Sequence, residues 1–140
     1  IQTKNLIWAA GVTAREFKGL PAESYGRGKR LKTDAFNKIE GTANIFAIGD
    51  TSIQFNDESF PHGHPQVAQV AIQQGINLAK NFKKKKKKKP LTPFKYLDKG
   101  SMAIIGKNKA VVDLPKPKMH FKGFFAWIIW LFIHLISLIT

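Results

Sequence analysis

Apolar positions along the 140-residue chain fall into three textures. The first is the short unbroken run. Leu6 to Ala10 stops at Gly11, and Ile45 to Ile48 stops at Gly49; neither alternates with polar residues, so each predicts a parallel strand covered on both faces. Between them, the basic connection Tyr25 to Arg30 leads into a short predicted strand at Leu31 to Asp34, and Gly41 with Thr42 predicts a turn. The second texture is helical. Pro65 suits a first helical turn, and from it a helix is predicted to about Phe82, with Val67, Val70, Ala71, Leu78 and Phe82 as its apolar stripe. Gln66, Gln69 and Gln73 gather on a neighbouring face, and Gly75 is a mild helix penalty, tolerable where something packs closely on the backbone. In the third texture, Phe94 to Leu97, Met102 to Ile105 and Ala110 to Val112 predict short strands. They are joined by turns at Asp98-Lys99-Gly100 and Gly106-Lys107-Asn108.

These elements predict an α/β architecture in four segments: residues 1–82 with strands and one helix, a Lys-rich loop at 83–90, a small antiparallel meander at 91–114, and an apolar tail at 115–140. The tail GFFAWIIWLFIHLISLIT follows Pro115, Pro117 and the basic patch of Lys116, Lys118 and Lys122. As a helix it would extend roughly 27 Å, a little short of a bilayer's hydrocarbon core. Trp127 and Trp130 fit an interfacial anchor equally well. The chain's first residues lack an initiator Met and a signal-peptide layout, so the sequence reads as a fragment.

Composition narrows the function classes. There is no cysteine, which removes thiol catalysis, thiolate metal sites and disulfides. The formal charge of +14 includes the seven lysines of Lys83 to Lys89. Such a run is ordinarily a solvated loop, and it adds affinity for anionic lipid when near a membrane. With no aromatic residues interleaved to stack bases, nucleic acid is not the expected partner. His62 and His64 are separated by a single residue with no further ligand nearby, and His120 and His134 are isolated, so no metal is assigned.

The remaining chemistry centres on Gly49 and Asp50. A buried strand ending in Gly-Asp puts a carboxylate at the carboxyl edge of a sheet, where open α/β folds bind ligands. There the glycine admits a close approach and Asp50 would accept hydrogen bonds from ribose or ribityl hydroxyls. Taken alone, the dipeptide equally describes a strand-terminal turn. The helix after Pro65 adds a positive dipole end suited to the negative edge of a reduced flavin. Gln69 and Gln73, four residues apart, address one object, either a carbonyl-rich ring or simply solvent. No GxGxxG or P-loop is present, so a dinucleotide's main binding loops would lie elsewhere.

Four motifs in order, IWAAGV at Ile7 to Val12, NIFAIGD at Asn44 to Asp50, AQxAxQ at Ala68 to Gln73 and FKYLDKGSMAIIGKNKAVVDL at Phe94 to Leu114, followed by the aromatic-rich tail, resemble the type II NADH:quinone oxidoreductases. These are single-subunit flavoproteins of the two-dinucleotide-binding-domain class. The resemblance implies that residues 1–82 are the carboxyl-terminal part of a Rossmann-like FAD/NAD(P)-binding domain, followed by the meander and a membrane-associated helix. It implies FAD as cofactor, with Asp50 on the ribityl chain, Gly11 at a crossover near the nucleotide sites, and the helix start near Gln69 and Val70 against the flavin's pyrimidine edge. It also implies NADH as substrate, quinone approaching Gln69 and Gln73, and a peripheral position on the cytoplasmic face of the cell membrane, or a single carboxyl-terminal membrane helix. Homodimer formation stays open. One departure stands out: Glu40 occupies the place of the family's usual Thr, with Thr42 two residues later. Other classes compatible with the sequence are a non-catalytic module docking on anionic lipid and a related FAD-dependent pyridine nucleotide-disulfide oxidoreductase-like enzyme with another donor.

Overall fold

The longest helix, α1, spans Ala68–Lys86 and organises everything amino-terminal to the meander. A computed structural model describes residues 3–7 and 11–139, which separate into two compact units, Ile1–Tyr96 and Leu97–Thr140.

In the first unit, β1 (Leu31–Thr33) and β2 (Ser52–Gln54) form a two-stranded parallel pair in the register Leu31↔Ser52, Lys32↔Ile53 and Thr33↔Gln54. The intervening chain doubles back tightly. The Asp34 carboxylate accepts from the backbone N–H groups of Phe36 and Lys38 at 2.8 and 3.0 Å, and Asn37 takes a left-handed backbone with φ 62°, a conformation that asparagine tolerates better than most residues. Leu31, Ile39 and Ala47 close a small core with Leu20 and Tyr25.

Three predicted strands are not seen among the described residues, Ile45 to Ile48, Leu6 to Ala10 and Phe94 to Leu97. Ile45 to Ile48 is extended but pairs on one side only, through a single bridge between Lys38 and Phe46 and bonds from the Ile39 and Ala47 N–H groups to Ile45 O and Asn37 O. Ile45 and Ile48 keep 49% and 37% of their surface exposed, so the two-sided burial that the run's apolar character predicts is not supplied among the described residues. Of Leu6 to Ala10, residues 8–10 lie outside the described residues, while Leu6 and Ile7 are exposed and form no strand.

α1 begins at Ala68, three residues after Pro65, with Val67 at its N-cap. Its expected apolar stripe is only partly the buried one, since Val67 and Phe82 are exposed. The buried side chains are Val70, Gln74 and Asn81, spaced four and seven apart and therefore on one face. Their amides hold loop backbone. Asn81 donates to Thr92 O at 2.8 Å and accepts from Thr92 N–H at 2.9 Å, and Asn77 donates to the same carbonyl at 3.2 Å. The helix also runs on through Lys86, so more than half of the lysine run is helical; cations in a last turn complement the dipole there. Phe94 and Tyr96, predicted as strand, instead plug a core with Val70 and Phe60.

The second unit is an antiparallel meander of β3 (Ser101–Gly106), β4 (Lys109–Pro115) and β5 (Lys118–Gly123), in that spatial order. The third strand is therefore the stretch expected to be a basic patch. Met119 and Phe121 point to one face while Lys118, His120 and Lys122 alternate to the other, a period of two. α2 (Phe124–Ile139) packs on the inner face, where Ala110, Val112 and Ala126 are buried with Met102, Leu114, Phe121, Trp127, Ile129 and Trp130 around them. Gly100, at φ 98°, lies so close to β4 that a Cβ there would fall 2.2 Å from Asp113 O. Among the described residues no helix is long and apolar enough to cross a membrane: α2's 16 residues extend only about 24 Å, against the alternative of a single spanning helix that the tail's composition left open beside an interfacial position.

The bidentate grip on Thr92 gives a direct stability test. Asn81→Ala should cost about 2 kcal/mol in urea denaturation of the full chain, from two lost bonds at a buried site. Asn77→Ala, which removes one exposed bond, should cost less than about 0.5 kcal/mol. Equal costs would show that burial does not decide the matter.

Candidate functional site

Gly49, Asp50 and Thr51 form one turn of 3-10 helix directly before β2. Two features of Gly49 fix the turn. Its φ of 66° is left-handed, and a Cβ added there would meet Ala71 Cβ of α1 at 3.1 Å, so the helix can approach only because the residue is glycine. Its N–H donates to Gln74 Oε1 at 2.6 Å, and the Ser52 hydroxyl reaches the same oxygen at 3.5 Å while also donating to Gly49 O. Asp50 is thereby presented on the exposed side of the turn. Its carbonyl accepts from Gln66 Nε2 at 3.3 Å, which ties the turn to the residues just before α1.

Behind the turn lies a buried cation. Arg30 donates from Nε to Ser52 O at 2.7 Å and from Nη2 to His64 O at 3.1 Å. Burial lowers its proton affinity and the nearby Asp50 charge raises it; a guanidinium stays cationic throughout. Arg30 also lines a cavity of about 350 Å³ together with Gly11, Val12, His62, Pro65 and Gln66. Gly11 is thus brought beside the approach to α1, and the expected strand end just before it lies outside the described residues.

The chain from Asp57 to Pro65 is locked from below. His64 Nε2 lies 3.0 Å from Asp57 Oδ2, with 1% and 7% of the two side chains exposed. Asp57 also accepts from the N–H groups of Ser59 and Tyr96. Phe60, Phe94 and Tyr96 pack around the imidazole, tilted or edge-on, at centroid distances of 5.3, 5.3 and 5.7 Å. Burial by itself would push the Asp57 carboxyl up, but the hydrogen bonds from His64, Tyr96 and Ser59, with the charge on His64, outweigh it and hold Asp57 below its ordinary value. His62, two residues away, is exposed, so the two histidines do not converge.

The predicted site residues divide accordingly. Gly49 and Asp50 sit on the turn against α1. Val70 contributes its side chain to the core, leaving only its backbone for any ligand. Gln69 and Gln73 are half-buried on one face of α1, and Gln73 lines an open cavity of about 550 Å³ with Ile76, Asn77 and Lys80. Gln66 precedes the helix and is not on the face it was expected to share with them. Val67 caps α1 without any side-chain hydrogen bond, so no hydroxyl or carboxylate of that residue covers the first N–H groups. Gln74, Arg30 and the Asp57–His64 pair escaped the sequence reading. Gln74 was legible in principle, because Val70, Gln74, Asn77 and Asn81 repeat at helical spacing. The other two join residues 22 to 34 apart, or lie in a loop without periodicity, where the sequence carries no local signal.

Residues 99–140 match the family described as the NDH2 C-terminal domain. Over 143 residues the chain is 36% identical to the type II NADH:quinone oxidoreductase NdhA of Mycobacterium tuberculosis, an alignment covering 95% of this chain and 28% of that protein. The chain belongs to the type II NADH:quinone oxidoreductase family. It is also 31% identical over 140 residues to a mitochondrial internal alternative NAD(P)H-ubiquinone oxidoreductase of Arabidopsis thaliana, covering 89% of this chain and 27% of that one. The solved structure of NDH2 from Plasmodium falciparum in complex with NADH superposes with a TM-score of 0.67 over 81% of this chain and 36% of that chain, at 19% identity, and so shares the fold. The chain spans under a third of the length of these type II relatives.

Within this type II chain the Asp57–His64 lock has a pH signature. A carboxyl held below its ordinary value stabilises the fold fully above its unfolded pKa and loses that contribution as pH falls through the folded one. Denaturation midpoints should therefore hold from pH 6 to about 4 and drop below the ordinary value near 3.8. Asp57→Asn should lower stability at pH 6 by about 2 kcal/mol and flatten the acid limb. An unchanged acid limb in that variant would place the titration elsewhere.

Proposed function

We propose that this chain supplies the flavin-edge, quinone-approach and membrane-contact parts of a peripheral membrane flavoprotein that oxidises NADH through FAD and reduces membrane quinone without pumping protons. In this reading residues 1–82 complete a Rossmann-like FAD/NAD(P)-binding domain whose phosphate-binding loops lie outside these residues. The observation that carries the reading is the Gly49–Asp50 turn, clamped to α1 by Gln74 and set beside the amino-terminal end of that helix.

The residues present fit FAD. An exposed carboxylate on a glycine turn is suited to accept hydrogen bonds from ribityl hydroxyls, and the positive end of a 19-residue helix favours the negative charge of a reduced pyrimidine edge. When bound, FAD supplies the redox chemistry between NADH and quinone, while the protein supplies position and electrostatics. Asp50 holds the ribityl chain, and the backbone near Gln69 and Val70 faces the ring. The amides of Gln69 and Gln73 hydrogen-bond quinone carbonyls without bringing a competing charge.

Membrane contact rests on the second unit. α2 turns Trp127 and Trp130 toward the sheet and leaves Phe125, Phe132, Leu135 and Leu138 exposed, at spacings that put a broad apolar surface outward. With Lys116, Lys118 and Lys122 nearby in sequence, this suits a helix lying in the interface of an anionic membrane. Homodimer formation remains compatible with the same surface.

The complete protein, purified in detergent, should carry a yellow flavin spectrum and oxidise NADH with a soluble quinone; absence of both would end the proposal. Asp50→Ala should weaken FAD retention by about 1.5 to 3 kcal/mol, the worth of a hydrogen bond to a charged acceptor. Gln69→Ala should keep its flavin and lose quinone turnover. Equal flavin loss in both variants would mean that the two roles are assigned wrongly.

A further inference from the structure

The lysine run is not a loose loop. Its first four residues continue α1, and its end is pinned back on the same helix by the bonds between Thr92 and Asn77 and Asn81, with a further hydrogen bond from Lys84 Nζ to Thr92 Oγ1. Between these anchors the backbone closes the helix with two bonds, Lys88 N–H to Lys85 O at 3.0 Å and Lys89 N–H to Lys84 O at 2.9 Å. That is the Schellman pattern, whose reversing residue takes a left-handed backbone and is ordinarily glycine. Here it is Lys88, at φ 52°. A side chain retained where the backbone prefers none points to a use for that side chain.

Beside this cap opens a cavity of about 320 Å³, lined by Lys85, Lys88 and Lys89, at the small end of ligand sites, which run to roughly 300–1,000 Å³. Its floor is apolar: Leu78 and Phe82 of α1 meet Phe46, the two rings packing edge-on with centroids 5.0 Å apart and planes at 89°. Lys38 adds a fourth ammonium group to the rim, and the carboxylate in the lining, Asp34, lies 4.0 Å from it. The combination of an apolar floor and a cationic rim matches a molecule with one negative head and one hydrocarbon end.

We infer that this cavity binds an anionic amphiphile of the phospholipid class, its phosphate on Lys85, Lys88 and Lys89 and the first part of its acyl chain against Leu78, Phe82 and Phe46. The site is separate from the Gly49–Asp50 turn and stands whether or not the quinone reductase reading holds.

The probes are dioctanoyl phosphatidate, dioctanoyl phosphatidylcholine and inorganic phosphate, titrated calorimetrically into the full-length protein in non-ionic detergent. Phosphatidate should bind saturably at one site, and both the choline lipid and phosphate alone should bind much more weakly. Lys88→Gly, which suits the left-handed backbone and should keep or raise the melting temperature, should weaken phosphatidate binding about fivefold, the worth of one lysine near an anionic head. K85Q/K89Q should weaken it further, and soluble-quinone activity should stay unchanged in both variants. A binding defect of Lys88→Gly that persists with phosphatidate-containing vesicles identifies a bilayer lipid, and one confined to the monomeric probe identifies a free amphiphile. Absence of saturable phosphatidate binding, equal affinity for inorganic phosphate, or an unaltered affinity in Lys88→Gly would each overturn the inference.

Discussion

The 2.6 Å hydrogen bond from the Gly49 N–H to Gln74 Oε1 is the constraint on which the candidate site depends. It joins the end of an apolar run to the buried face of α1, and it does so at a glycine whose missing Cβ lets Ala71 of the helix sit against the turn. A leucine at position 74 would bury apolar surface but leave the Gly49 N–H without this acceptor, at a cost that an unsatisfied buried group makes larger than the bond's own net worth. Gln74 reaches toward Gly49 near the start of α1, while Asn81 reaches toward Thr92 seven residues later. One helix face therefore holds both the turn that presents Asp50 and the segment that returns the lysine run.

This use of amides explains why the first unit is less apolar inside than its sequence suggests. Its buried side chains include Arg30, Asn37, Gln54, Asp57, His64, Gln74 and Asn81, most of them committed to backbone carbonyls or N–H groups of connecting segments. Such commitments are directional where apolar packing is not, so they fix where loops go as well as whether they are covered. Meanwhile Ile45 and Ile48 remain half-exposed, in a chain that covers under a third of its relatives' length. The second unit is built in the opposite way, with small residues Ala110 and Ala126 admitting α2 closely onto β4 and large side chains ringing the contact.

Much of this was legible in residue order. The helix after Pro65, the β1 strand, the hairpin at Lys107-Asn108 and the family motifs all follow from local pattern. The strand at Lys118–Gly123 was written in the alternation of Met119 and Phe121 with lysines and His120, but two prolines and the density of charge disguised it. The run Ile45 to Ile48 misled for a different reason: its composition reflects two-sided burial, which the described residues do not supply. The Asp57–His64 lock and the Arg30 bonds could not have been read at all, since each depends on the path of irregular backbone between distant positions.

Gln74 clamps the Gly49–Asp50 turn, and in the function proposed above it thereby holds the carboxylate where a ribityl chain would bind. The most direct measurement is the flavin-to-protein absorbance ratio of the full-length protein purified with Gln74→Leu. That role predicts marked flavin loss with Asp50 itself intact and α1 still helical by circular dichroism. Full flavin occupancy in a folded Gln74→Leu protein would contradict it.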